Sequence, residues 1–273
     1  MSAQNAASKY LRMVDERFTA DSYTEAAFGL EFDWTGVDTI SIYNVKTSSM
    51  NDYEMNGSER YGTPTELETG VQTMVLTQDK SFTYTIDRRN YTDQMMVTNA
   101  ALSLRRQIDE EVVPMVDTYR FGVLAASAGT TVTSPITRDD AYEAFIEGTK
   151  TLRNNKAPIN TAIAFVSGNF LNNIKLDDNF IKKGDASQRI MINGEVGMID
   201  GVRIVSPPDN LLPDGVEFII TIPAAGAAPK KLEEYKTHVD PPGISGWKIE
   251  GRVYHDAFVL NNKRPAIYVH MSA

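Results

Sequence analysis

Val97, Ala101, Leu104, Ile108, Val112, Met115, Tyr119 and Val123 follow one another at steps of 4, 3, 4, 4, 3, 4 and 4 residues. A helix of 3.6 residues per turn is the regular structure that gathers such a series onto one stripe. Thr92 can cap this helix, and Asp93 falls in its first turn, where the positive end of the helix dipole favours a carboxylate. Continued to Ala128, the helix spans roughly 50 Å at about 1.5 Å per residue, a length that constrains the fold more than any other feature of the chain. Pro114 interrupts it: proline has no N–H to donate and its ring collides with the carbonyl one turn earlier, at Glu110, so a kink is expected there. Arg105, Arg106, Asp109, Glu110 and Glu111 occupy the other faces, with Arg105 to Asp109 and Arg106 to Glu110 spaced for ion pairs within the helix. Glu110 and Glu111 make a poor catalytic pair, because adjacent helical residues point about 100° apart and do not converge on one substrate atom.

Residues 1–35 mix small, polar and isolated aromatic residues, with an amphipathic turn or two at most over Tyr10, Leu11, Val14 and Phe18. They are expected to form an arm, frayed or held by a neighbour, since so few apolar groups do not offset the entropy lost on ordering. Residues 37–45 (VDTISIYNV) form a predicted strand. Residues 74–86 form a second, in which Phe82, Tyr84 and Ile86 alternate with Thr83, Thr85 and Asp87. Between them, residues 48–70 carry Asp52, Glu54, Glu59, Arg60, Glu66 and Glu68 and are too polar to pack internally. A connection that long has a function or is disordered. The expectation is a long hairpin with a mobile tip, whose six charges pair with a neighbouring copy and set register across a repeated contact.

After Gly129 a turn-rich connector leads to Thr137 and Asp140, which resemble a capping box opening a helix through Leu152, closed by Asn154, Asn155 and Pro158. Residues 161–166 (TAIAFV) form a short buried strand, and Ser167 can cap a helix holding Phe170, Leu171 and Ile174. Asn193-Gly194 and Asp200-Gly201 are turns between short strands. Residues 216–222, 247–260 and 266–270 supply the remaining strands, the last two joined by a turn at Asn261-Asn262. The class is α+β, without a solenoid or propeller repeat.

Chemistry is sparse. Zero cysteines remove disulfides, thiolate metal sites and cysteine nucleophiles together. The chain has no apolar run long enough for a membrane span, and its first residues lack the basic start and apolar stretch of a secretion signal, so the cytoplasm is the expected compartment. A net charge of −9 argues against gripping the phosphate backbone, which depends on clustered Lys and Arg, although such a chain could enclose DNA. Neither G-x-x-x-x-G-K-S/T nor a G-x-G-x-x-G between strand and helix is present, and no cofactor is expected. His238, His255 and His270 lack the helical spacing of a zinc protease, and no G-x-S-x-G elbow presents a serine. His255-Asp256 resembles an acid–base dyad but lies in a predicted strand, where neighbours face opposite sides. Asp177-Asp178 near Asn179 lacks the glycine and glutamate of a calcium loop and suits a polar helix cap instead. A hydrolase using carboxylates around Asp177, Asp200 or Asp256 would need a convergent nucleophile, base and oxyanion donor, and no such set can be named.

The C-terminal stretch from Ala228 to His270 resembles the end of tailed-bacteriophage major capsid proteins of the Hong Kong 97-type fold. Pro241-Pro242-Gly243, Gly246, Gly251-Arg252, Asp256-Ala257-Phe258-Val259 and Ile267-Tyr268-Val269 stand in the order and spacing of that family. TAIAFVSGNFLNNI and EVGMIDGVRIVSPP are similar to its apical-domain segments. The resemblance implies an N-terminal arm over 1–35, an extended loop with peripheral-domain strands over 36–90, and a spine helix with peripheral domain over 91–136. It further implies an apical domain over 137–245 and return strands to the peripheral domain over 246–273. It implies a structural protein, without catalysis, whose copies form hexamers and pentamers of an icosahedral shell around double-stranded DNA, assembled in the host bacterial cytoplasm and retained in the virion. A separate scaffolding protein or none, a portal and a decoration protein are the partners expected; no membrane is involved. The lysine, asparagine and glutamate of an isopeptide crosslink have no match here. An encapsulin-like compartment is the alternative within the same fold.

Overall fold

A computed structural model describes residues 22–32, 34, 39–45, 47–56, 58–64, 66–88, 99–177 and 197–272, with the backbone alone for residues 45 and 99–102. The expectations for residues 1–21, Thr92, Asp93, Val97, Asp178, Asn179 and the Asn193-Gly194 turn lie outside these residues, as does the side chain of Ala101. The strands are β1 (Thr39–Val45), β2 (Thr69–Val75), β3 (Gln78–Asp87), β4 (Thr130–Thr133), β5 (Ile163–Val166), β6 (Met198–Ile199), β7 (Val202–Val205) and β8 (Val216–Thr221). β9 (Gly226–Ala227), β10 (Lys230–Val239), β11 (Gly246–His255), β12 (Phe258–Val259) and β13 (Tyr268–Met271) complete them. The helices are α1 (Asn99–Gln107), α2 (Val113–Ala126), α3 (Ala141–Asn154) and α4 (Gly168–Leu176). The chain divides into two compact units, Trp34–Leu76 and the remainder.

The long apolar stripe becomes α1 and α2 joined by a π turn over Ile108–Val112. Beside the position where a proline kink is expected, the helix is widened: the Val113 N–H donates to the Ile108 carbonyl, five residues back, and Pro114 sits in the first turn of α2. A π turn takes in one extra residue, which rotates everything beyond it by about one position. Leu104, Ile108 and Val112 are buried as the periodicity predicts, but the buried series then continues through Val113, Val116, Arg120, Phe121 and Leu124. Met115, expected in the core, is 36% exposed, and Tyr119 and Val123 are only partly buried.

This helix serves two cores. Leu104, Ile108, Val112, Val113 and Val116 pack with Tyr235, Ile249 and Val253 from an antiparallel sheet of order β10-β11-β3. Further along, Phe121 and Leu124 join a larger core under a six-stranded sheet of order β4-β13-β8-β5-β7-β6. There Phe121 meets Phe165 edge-on at 5.0 Å between ring centroids, and Phe170 lies 4.7 Å from Phe218. The fully buried β5 pairs with β7 and β8, and Ser167 beyond it caps α4 by accepting from the Phe170 N–H at 3.1 Å. Asp200 and Gly201, both at positive φ, make the tight turn between β6 and β7.

Several elements differ from expectation. The single strand predicted over 74–86 is two, β2 and β3, broken at residues 76 and 77. The strand β10 was not foreseen, because among its residues only Tyr235 is buried. It belongs to the expected apical stretch yet pairs with β11 beside β3. β13 lies between β4, which it meets in parallel, and β8, which it meets antiparallel. Helix α3 starts at Ala141, and the Thr137 hydroxyl donates to the Asp140 carboxylate at 2.5 Å without forming a reciprocal cap.

Two buried carboxylates tie distant segments to α2. Asp117 accepts from the Ser22 hydroxyl at 2.6 Å, the Tyr23 N–H at 2.9 Å and the Thr24 hydroxyl at 2.5 Å. The buried Arg120 donates to Thr24 Oγ1 at 3.1 Å and Glu25 Oε2 at 3.0 Å, while the Gly29 and Leu30 N–H groups donate to the Pro223 and Gly226 carbonyls. This end of the expected arm is therefore held by its own chain. Asp256 accepts from the Thr77 N–H at 2.8 Å and hydroxyl at 2.9 Å, from the Tyr119 hydroxyl at 2.6 Å and from the Ala257 N–H at 2.8 Å. Burial, then the bond to Asp256, pushes the Tyr119 hydroxyl up to about 12, so it remains a donor. His255 next door is 1% exposed with Nδ1 unpartnered, edge-on to Tyr119 at 5.7 Å. Burial, then the Arg120 charge, pulls its pKa down to about 4.

Two measurements probe this packing. Gly251 lies between Phe82 and Tyr235 in register, where a Cβ would come within 2.3 Å of the Phe82 ring. Gly251→Ala is expected to lower the unfolding free energy of the isolated chain by about 1–3 kcal/mol in a urea titration. For His255 the unfolded chain takes up a proton near pH 6.5 and the folded chain only near pH 4. Stability is thus fully present above pH 6.5 and falls as pH drops through that window, by up to about 3 kcal/mol. In His255→Leu this component of the acid dependence should vanish from thermal melts taken across the same range.

Candidate functional site

The unit Trp34–Leu76 is built on an antiparallel ribbon in which Thr39 pairs with Val75 and Val45 with Thr69. Alternation sends Ile40, Ile42 and Met74 to one face and Thr39, Ser41, Tyr43, Val71, Thr73 and Val75 to the other. The second face is open to solvent: the cross-strand neighbours Tyr43 and Val71 are 73% and 57% exposed. A two-stranded ribbon with such a face is marginal in water unless something covers it.

The loop at its far end carries Asp52, Glu54, Glu59, Arg60, Glu66 and Glu68, all exposed. Contrary to the expectation that it is too polar to pack internally, its tip is closed. The Glu54 N–H donates to the Arg60 carbonyl at 3.1 Å, and the Gly62 N–H to the Glu59 carbonyl at 2.9 Å. The Tyr53 and Tyr61 rings meet edge-on at 5.1 Å, and the Thr63 hydroxyl donates to Glu59 at 3.2 Å. Gly62, at φ 82°, makes a turn that a side chain would strain, with Asn51 packed where its Cβ would stand. Sequence reasoning singled out the charges and passed over Met50, Tyr53, Met55 and Tyr61. Large apolar residues in an otherwise polar stretch were the signal available.

The remaining polar candidates hold structure together. Asp177 is buried and accepts from the Tyr142 N–H at the start of α3. Asp200 accepts from Thr149 at 2.5 Å and Arg153 at 2.7 Å. Burial would raise its carboxyl, but these two bonds outweigh it and hold the pKa below the usual carboxylate range. Asp256 is consumed by Thr77, Tyr119 and Ala257. On the open face of the three-stranded sheet, charges neutralise one another in neighbouring pairs: Arg252 with Asp79, Lys248 with Glu250, Lys236 with Glu234, and His238 beside Glu250. Arg106 pairs with Glu110 at 3.7 Å along the helix. Among the described residues no group of three or more His, Asp or Glu could hold a metal ion, and no helix is long and apolar enough to cross a membrane.

No protein-family model and no curated protein matches the sequence. Solved structures do match its fold. The chain is similar to one in the capsid structure of cyanophage P-SCSP1u, at 13% identity and a TM-score of 0.69 over 86% of this chain and 84% of that one. It is similar to one in the asymmetric unit of the bacteriophage PhiM1 mature capsid, at 11% identity and a TM-score of 0.69 over 92% and 87%. A virus-like particle from Pyrococcus furiosus matches at 9% identity and a TM-score of 0.59 over 97% and 99%. With nearly whole chains superposing on phage capsid subunits, this protein has the Hong Kong 97-type fold that its C-terminal motifs imply.

Proposed function

We propose that this chain is the major shell subunit of a tailed-phage capsid, associating as hexamers and pentamers that close an icosahedral shell around double-stranded DNA. The observation that carries the reading is the ribbon of Trp34–Leu76, which presents an open face and an exposed, internally closed tip within a fold shared with phage capsid chains. A neighbouring copy covers that ribbon, and the hairpin acts as a clamp between subunits. The spine helix, the peripheral elements around β3, β10 and β11, and the apical elements around the six-stranded sheet form the body that the clamp joins. Packaged DNA is enclosed without being gripped, in keeping with a net charge of −9 and with the paired charges on the open sheet face. Assembly in the bacterial cytoplasm with a separate scaffolding protein and a portal belongs to the same proposal, as does a decoration protein on the finished virion.

The match to the Pyrococcus furiosus particle favours one second reading, a protein compartment of the same fold. Particles from producing cells distinguish the two: nuclease-protected DNA of genome length belongs to a capsid, and a co-purifying protein cargo to a compartment.

Electron microscopy of the expressed chain, with and without a co-expressed scaffold, is expected to show closed shells or capsomer rings. Deleting residues 50–68 should leave a soluble subunit with an unchanged far-UV circular dichroism spectrum that forms neither. Normal shells from the deleted chain would reject the clamp.

A further inference from the structure

The loop that joins β1 to β2 carries a chemically reactive position as well as charge. Asn56 is exposed in the turn that the Glu54 N–H closes on the Arg60 carbonyl at 3.1 Å, and Gly57 follows it in the sequence. An asparagine side chain folds readily onto the backbone just beyond it, which is why the residue favours turns. The amide nitrogen of the next residue then needs only to close a five-membered ring to reach the side-chain carbonyl carbon. A side chain on that next residue crowds the approach, and glycine has none.

Among the described asparagines, Asn56 alone is followed by glycine. Asn51, in the same loop, packs against Gly62 and precedes Asp52, whose side chain hinders the amide and whose charge opposes loss of its proton. Asn44 lies in β1 before the β-branched Val45. Asn172 and Asn173 lie inside α4, where the following N–H is bound into the helix ladder. Asn155 donates to the Pro265 carbonyl at 2.8 Å.

We propose that Asn56 is a spontaneous deamidation site, at which the hairpin tip turns to aspartate and isoaspartate as the protein ages. The Gly57 nitrogen gives up its proton to water or hydroxide and attacks Cγ of Asn56. The new N–Cγ bond closes a succinimide, while the Cγ–Nδ2 bond breaks and Nδ2 takes up a proton and leaves as ammonia. Water then opens the ring. Cleavage of N–Cγ gives aspartate, and cleavage of the bond between the nitrogen and the backbone carbonyl gives isoaspartate, with the chain now running through Cβ. The net change is one water consumed and one ammonia released, without oxidation or reduction.

The product differs from the parent in two ways. A carboxylate joins the five acids and one arginine of residues 50–68 and deepens the net charge of −9 by one. Isoaspartate also adds a backbone atom inside the loop that Glu54 and Arg60 close. Old and new chains thus carry different tips, and the proportion records time since synthesis.

Peptide mass spectrometry of the full chain, incubated at neutral and at alkaline pH, tests this. Trypsin releases residues 47–60 as one peptide holding both Asn51 and Asn56. A zero-time sample digested in parallel removes modification made during handling. Fragmentation should place the amide-to-acid mass gain on Asn56 and leave Asn51 unchanged. The rate should rise with pH, and isoaspartate methyltransferase should label the aged chain. Gly57→Ala should slow the change by on the order of tenfold, through the crowding that a Cβ introduces. Asn56→Gln, whose ring would be six-membered, should abolish the label, and Asn56→Asp should co-elute on anion exchange with the aged acidic form. An intact Asn56 after alkaline incubation, faster change at Asn51, or an equal rate in Gly57→Ala would overturn the proposal.

Discussion

One helix feeding two cores is the constraint on which the rest of this structure depends. Leu104 to Val116 must face the three-stranded sheet and Phe121 and Leu124 the six-stranded one, so any change of phase along the helix changes what both sheets bury. The π turn at Ile108–Val112 sets that phase. It also accommodates Pro114, whose ring and missing N–H a regular turn at this point would not tolerate. The segment that looks like a flaw in the helical pattern is thus what permits the second half of the helix to bury Arg120, Phe121 and Leu124.

Asp117, Arg120 and Tyr119 follow from the same phase. Buried polar groups are stable where their hydrogen bonds are made, and here those bonds reach back to residues 22–25 and across to Thr77 and Asp256. The helix therefore organises packing on one side and polar anchoring on the other.

Much of this was legible in the residues. The 3.6-residue period of Leu104, Ile108 and Val112, the Ser167 cap, the buried TAIAFV strand and the Asp200-Gly201 turn are local signals, and local chemistry decides them. What escaped was decided at a distance. A π turn has no periodic signature of its own, so the stripe was carried on to Met115. β10 has a polar alternation, with Tyr235 alone buried, and it is a strand because β11 lies beside it. The break between β2 and β3 exists because Asp256 takes both the N–H and the hydroxyl of Thr77. At the hairpin, attention to charge obscured Met50, Met55 and the tyrosines, whose exposure becomes visible only once the tip is seen to close on itself.

The Thr77 anchor also orders events in time. Its acceptor lies 179 residues further along the chain. At about 5–20 residues per second of synthesis, Asp256 emerges on the order of ten to forty seconds after Thr77. Throughout that interval Thr77 lacks the carboxylate that accepts from both its N–H and its hydroxyl. Translation thus acts as a clock: the anchor at Thr77 closes only when the chain has been made nearly to its last strand.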